Sequence, residues 1–283
     1  MNLQEKLDRQ EYAEIWSQYC GFLDLSMEEY MAIQRRLMIE QIQLWSGCML
    51  GQSILKGKKP TTIEEFRRMV PLTSYEDYAD ILLRKNASML PDNPVIWIQT
   101  TWEGGRHPIK LAPYTRSMLD TFRDNVVACL ILSTSRKKGS FNVDKTDKVL
   151  YGLAPLPYAT GLFPLALNEA IDIKFLPAVK DAVNMSFSER NKLGFKMAMQ
   201  QDVEYFFGLG SVAYAVSQSL SQMGGKAKMK PATCSSSGRI CFCASPGQRA
   251  AAKRKPAPEA EGSVPPEGLH GAGTDNRCYK DDL

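Results

Sequence analysis

The sequence predicts an α/β protein: a helical N-terminal lead-in, then a mostly parallel sheet with helices on both faces, then a disordered C-terminal tail. Three observations carry that expectation. The first ninety residues have helical periodicity broken by N-cap patterns. Between 95 and 222, four short β-rich runs alternate with four helical stretches. After Met223 the apolar periodicity stops. The boundaries that follow are 1–90 for the lead-in, 91–223 for the α/β part, 224–271 for a segment without regular structure, and 272–283 for a short ordered remnant.

In the lead-in, Ser26 with Glu29 forms a capping-box pattern ahead of Tyr30, Ile33 and Leu37 at helical spacing. Met38, Ile42, Trp45 and Met49 continue an apolar stripe at steps of four, three and four. Thr62 with Glu65 and Thr73 with Glu76 repeat the box on either side of Pro71, which separates two short helices. The stripes predict a layer that covers one end of a sheet, with its aromatics in the core.

The alternation starts with Val95–Gln99 as a strand and Thr115–Ser135 as a helix. Lys148–Leu153 and Thr160–Ala170 form the second pair. Ile171–Leu176 and Ser188–Met199 form the third, with Ser188 as the cap. Val203–Phe207 and Ser211–Gln222 form the fourth. Strand–helix units in series lie in parallel, because each crossover returns the chain to the same edge. Three loops should then leave carboxyl ends of strands, where open sheets bind ligands: Thr100–Lys110, Ala154–Gly161 and Gly208–Ser211.

Composition narrows the functional classes. The 283 residues are 44% apolar, enough for a sizeable core, and carry a net charge of +4. Much of the positive excess sits near the C-terminus, so the body carries no nucleic-acid footprint. The longest apolar run, around Val126–Leu132, is far below membrane-spanning length. The charged N-terminal stretch is not a signal peptide, and seven irregularly spaced cysteines fit reduced thiols; both point to the cytoplasm. Cys241 and Cys243 are too close for a usual zinc half-site. The two histidines, His107 and His270, complete no ligand set, so no metal site is expected. The Arg249–Lys255 cluster could touch nucleic acid or acidic lipid, but without interleaved aromatics it reads as a solvated tail.

Chemistry concentrates in the loop Thr100–Lys110. Gly104 and Gly105 let backbone N–H groups converge on an anion, Thr100 and Thr101 add hydroxyls, and Arg106 and Lys110 add positive charge. A polyphosphate suits that set, although an ordinary strand-to-helix turn accounts for the same residues. The loop matches neither GxxxxGK[ST] nor GxGxxG. In the second loop, Tyr158 and Gly161 could wall a substrate pocket, or the two prolines could stiffen a turn that Thr160 caps. In the third, Ser211 is expected to cap its helix.

With these elements placed, residues 63–222 resemble the N-terminal part of adenylate-forming acyl ligases, in the branch of the plant auxin-responsive acyl-acid amido synthetases and phenylacetate–coenzyme A ligases. The resemblance is carried by Val70-Pro71-Leu72-Thr73-Ser74-Tyr75-Glu76-Asp77-Tyr78, by the Thr100–Lys110 loop with Leu111–Thr115 after it, and by Val203–Val212. It implies ATP and magnesium as cofactors and a small carboxylic acid as substrate. The carboxylate attacks the α-phosphate, pyrophosphate leaves, and a thiol or amine then displaces AMP. It places Thr100, Thr101, Gly104, Gly105, Arg106 and Lys110 at the β- and γ-phosphates, and Tyr158 and Gly161 beside the acyl or adenine pocket.

Two departures accompany the resemblance. Trp102 and Glu103 stand at the loop's centre, where the family has Ser-Gly-Thr-Thr-Gly or close to it. A carboxylate about 4 Å from phosphate at an effective dielectric near 20 is repelled by about 4 kcal/mol, so Glu103 points away, binds magnesium, or weakens ATP binding. The later Tyr/Phe-Gly-x-Thr-Glu motif, the ribose-binding Asp and the mobile C-terminal domain have no counterpart. Ala272–Leu283 resembles a later stretch of the same domain, which makes 231–271 read as out-of-frame sequence in a truncated or divergent ligase. The competing expectation is a non-catalytic α/β binding module or degenerate fragment. No catalytic residue, acyl substrate or oligomeric state is assigned.

Overall fold

A computed structural model describes residues 3–101, 106–201, 203–222, 232–236 and 239–243. The contacts divide into two units, one over 1–143 and 156–172, the other over 144–155 and from 173 onward.

The first unit opens with α1 (Leu3–Asp8), α2 (Tyr12–Cys20), α3 (Met27–Gly47), α4 (Met49–Leu55), α5 (Ile63–Met69) and α6 (Ala79–Leu83). Two of the expected capping boxes form. The Glu29 carboxylate accepts from the Ser26 amide at 2.8 Å while the Ser26 hydroxyl accepts from the Glu29 amide. Thr62 and Glu65 do the same at α5. The third box sits one residue later than expected, where Asp77 accepts from the amide and hydroxyl of Ser74. Glu76, freed from capping, meets His107 instead.

The lead-in differs from the sequence expectation on one face. Ile42 is the buried residue of α3, and Tyr30, Ile33, Leu37 and Leu44 are exposed. These four project between about 240° and 300° around the helix when Met27 is set at zero, well away from Ile42 at about 60°. Periodicity marks which residues share a face, but α3 carries two apolar faces and only one is packed. Beyond α3 the chain turns sharply into α4. Leu50 and Ile54 of α4 pack with Cys48, Trp45, Val70, Tyr78 and Ile81.

The strand expected at the start of the parallel sheet belongs elsewhere. β1 (Ile96–Thr101) pairs antiparallel with β2 (Ile109–Tyr114), a strand the sequence reading replaced by the start of a helix. The helix follows as α7 (Arg116–Thr134), capped by Thr115, whose hydroxyl accepts from the Met118 amide at 3.3 Å. Pro113 masked β2: it cannot donate to a ladder, but in a two-stranded sheet it needs only one edge. Ile98 of β1 packs with Leu119 of α7 and with Leu162 and Ala166 of α8 (Leu162–Ala170). That cluster seats the hairpin. Pro164 is tolerated because it falls in the first turn of α8.

The second unit holds the parallel sheet. β3 (Lys148–Tyr151), β4 (Lys174–Leu176) and β5 (Tyr205–Phe207) lie in the order β4-β3-β5, all parallel. Between β4 and β5 come α9 (Val179–Ala182) and α10 (Phe187–Gln201), and α11 (Gly210–Gln222) follows β5. Ser186, not Ser188, caps α10 by exchanging hydrogen bonds with Glu189. Ser211 lies inside the first turn of α11 rather than ahead of it. Leu150, Leu176 and Phe206 from the sheet, with Phe195 and Ala198 from α10 and Val203, form the core, and α11 adds Val212, Ala213 and Val216.

In the segment expected to lack regular structure, β6 (Ala232–Ser236) joins β5 in parallel and β7 (Arg239–Cys243) returns antiparallel to β6. The remainder of that segment, the 249–255 basic cluster and the 272–283 remnant lie outside the described residues. Among the described residues, no helix is long and apolar enough to cross a membrane.

Candidate functional site

The first unit brings four of the expected loop residues, Thr100, Thr101, Arg106 and Lys110, onto one hairpin. Thr100 of β1 is the direct cross-strand partner of Lys110 of β2, so the two side chains share one face of the ladder. Such pairs hold their Cβ atoms about 5 Å apart, close enough for a hydroxyl and an ammonium to meet one anion. Arg106 is exposed on the return limb toward β2. The backbone of Thr101 pairs with Ile109. Gly104 and Gly105, with Trp102 and Glu103, lie outside the described residues. The loop is therefore the connection of an antiparallel hairpin, and not a strand-to-helix turn of the parallel sheet.

The hairpin is held on both outer edges one residue below the Thr100–Lys110 pair. Gln99 and Leu111 face each other there, with their N–H groups turned outward. On the β1 side, the Gln99 amide donates to the Pro157 carbonyl at 2.8 Å, and Tyr158 bridges to Gln99 in parallel. On the β2 side, the Leu111 amide donates to the Tyr75 hydroxyl at 2.8 Å, and that hydroxyl donates to the Leu111 carbonyl at 3.2 Å. The Tyr75–Asp77 stretch, a single 3-10 turn, thus does for β2 what the 156–158 segment does for β1.

Tyr158 is 37% exposed where it bridges to Gln99 of β1. Gly161 is buried at the end of the 3-10 turn Ala159–Gly161, where its amide donates to the Tyr158 carbonyl at 2.8 Å.

Around Lys110 the environment is aromatic. Its Nζ lies 5.2 Å from the centre of the Tyr75 ring, within cation–π range. The His107 ring meets Tyr75 edge-on at 6.1 Å, and His107 Nε2 is 3.1 Å from the Glu76 carboxylate. Tyr78 also meets Tyr75 edge-on, at 5.8 Å. Chemically, this is a cation over an aromatic face, on the strand where its cross-strand partner is Thr100. A metal-ligand set is not offered: among the described residues no three His, Cys, Asp or Glu side chains converge.

The second unit places glycines at the carboxyl ends of its parallel strands. The Gly152 amide donates to the Phe207 carbonyl at 2.8 Å, extending the β3–β5 ladder by one residue. Asn191 of α10 is 7% exposed there; its Nδ2 donates to the Phe187 carbonyl at 2.9 Å, and Oδ1 has no partner among the described residues. A Cβ on Gly152 would lie 2.7 Å from that Oδ1, so Gly152 is small because Asn191 approaches it. Neither Tyr75 nor Asn191 was singled out from sequence as a site residue. Tyr75 had one available signal, its place in the motif that carries the family resemblance, whereas Asn191 had none.

Residues 20–153 match the sequence model of the GH3 family N-terminal domain. Among solved structures, the chain is similar to that of "AtGH3.15 acyl acid amido synthetase in complex with 2,4-DB", at 15% identity and a TM-score of 0.44. The match covers 70% of this chain and 38% of that one, so the chain spans well under two thirds of that protein's length. No curated protein matches the chain.

Proposed function

Taking the GH3-type N-terminal domain matched by residues 20–153 as the premise, we propose that the β1–β2 hairpin holds the triphosphate of ATP in an adenylate-forming reaction on a small carboxylic acid. One observation supports this most strongly: Thr100 and Lys110 are cross-strand partners at the head of a hairpin held on both edges. Thr100 would donate its hydroxyl to a phosphate oxygen, and Lys110 and Arg106 would offset the charge. Thr101, Gly104 and Gly105 would complete the cradle with backbone and hydroxyl donors, and Tyr158 and Gly161 would border the acyl or adenine moiety. In the chemistry proposed, a carboxylate oxygen bonds to the α-phosphorus as the bond to the β-phosphate oxygen breaks, giving acyl-adenylate and pyrophosphate. An amine or thiol then takes the acyl group and releases AMP. Magnesium would offset phosphate charge when bound, and the described residues supply no ligand set of their own for it.

A second reading is a non-catalytic α/β module that binds nucleotide without turnover. Isothermal titration with Mg-ATP, followed by pyrophosphate release in the presence of small carboxylic acids, separates the two. A charged hydrogen bond is worth about 1.5–3 kcal/mol, so Lys110→Ala should weaken Mg-ATP binding by roughly 10- to 100-fold. Binding that is absent in the folded protein, or unchanged in Lys110→Ala, would remove the hairpin from the nucleotide site. Binding without pyrophosphate release would leave the second reading.

A further inference from the structure

The geometry points to Tyr75 as a positioning residue for Lys110, an inference that rests on the hairpin being the phosphate site. Tyr75 acts at two levels. Its hydroxyl both accepts from and donates to the Leu111 backbone, one residue after Lys110, which fixes the course of β2 on the edge that β1 does not cover. A phenol has one proton and can accept as well, so both bonds can be made at once. Its ring lies under the Lys110 ammonium at 5.2 Å. A lysine carries four rotatable bonds, and a ring face below the ammonium restricts where it can go without neutralising it.

The ring is itself in contact with two others. Tyr78 and His107 meet it edge-on. His107 is anchored in turn by Glu76, the next residue in the same 3-10 turn. This explains why three adjacent positions of the motif carry such different side chains. Tyr75 reaches the strand and the lysine, Glu76 ties down the histidine of the return limb, and Asp77 closes the turn on Ser74. Tyr75 touches no reacting atom in this account.

The test is a double-mutant cycle on the full chain, read by Mg-ATP titration. Tyr75→Leu removes ring and hydroxyl, Tyr75→Phe removes the hydroxyl alone, and each is made with and without Lys110→Ala. The cation–π contribution predicts that Tyr75→Leu weakens Mg-ATP binding about fivefold when Lys110 is present and less than about twofold when it is absent. Tyr75→Phe keeps the ring and should recover most of the affinity. Equal losses in both backgrounds would show a structural role and overturn the inference, as would unchanged affinity in Tyr75→Leu. If Tyr75→Leu does not fold, Tyr75→Phe decides: a loss as large as that of Lys110→Ala, or one that persists without Lys110, overturns it. A parent chain that binds no Mg-ATP overturns the phosphate reading itself, an outcome distinct from a parent that binds through Lys110 but is indifferent to Tyr75.

Discussion

Leu162→Ala should detach the hairpin from its support. Leu162 is 1% exposed and packs with Ile98 of β1, Leu119 of α7 and Ala166 of α8. The substitution removes three carbons, a transfer loss of about 2.4 kcal/mol at about 0.8 kcal/mol each. The cavity adds to this, because the neighbours belong to separate elements and cannot all move inward. Buried Leu→Ala changes cost about 2.7–5 kcal/mol in total, so about 3.5 kcal/mol is expected. All four tryptophans, Trp16, Trp45, Trp97 and Trp102, fall within 1–143, so tryptophan fluorescence in urea reports the first unit alone. With a urea slope of about 1–3 kcal/mol/M, the midpoint should fall by about 1.2–3.5 M. Leu162→Met conserves volume and should cost less than about 1.5 kcal/mol. A loss below about 1 kcal/mol for Leu162→Ala would show that the cluster does not hold the hairpin, and the argument for a rigid Thr100–Lys110 ledge would fall with it.

Two further outcomes are expected. A Cβ on Gly51 would stand 1.8 Å from the Trp45 carbonyl oxygen, so Gly51→Ala must displace backbone between α3 and α4. The cost should be about 3 kcal/mol, the upper part of the overpacking range, and a urea midpoint close to that of the parent would refute the close approach. On α7, Arg116 hydrogen-bonds Asp120 at 2.6 Å and Glu169 of α8 at 2.5 Å, and these bonds are the main reason both carboxyl groups titrate below their ordinary values. Depressed carboxylates contribute stability that is present above their unfolded values, near 4, and lost as pH falls through the folded ones. Thermal stability should therefore decline below about pH 4. In Arg116→Gln that acid-side loss should be shallower, and parallel curves for the two proteins would exclude the network as its source.

The elements were legible where local chemistry sets them. Ser26 with Glu29 and Thr62 with Glu65 place helix starts because a short side chain must satisfy an amide three residues on, whatever the fold around it. The parallel strands β3, β4 and β5 were legible as apolar runs, since both faces of such a strand are buried. Near misses arose where two candidates lay within two residues of each other: Ser186 instead of Ser188, and Ser74 with Asp77 instead of Thr73 with Glu76. Local sequence does not rank neighbouring caps; the direction of the incoming chain does.

The sequence by itself determined the starts of α3 and α5 and the apolar runs of β3, β4 and β5, because capping and spacing act over a few positions. Tertiary structure decided the rest. It assigned β1 to a hairpin with β2 and not to the parallel sheet, since strand pairing depends on which edge is open. It left Tyr30, Ile33 and Leu37 of α3 exposed, although their spacing is that of a buried face, since burial needs a partner that periodicity does not name. It also set Tyr75 beneath Lys110, a contact between residues thirty-five apart in sequence. Only folding brings such residues together, and no pattern along the chain encodes the distance between them.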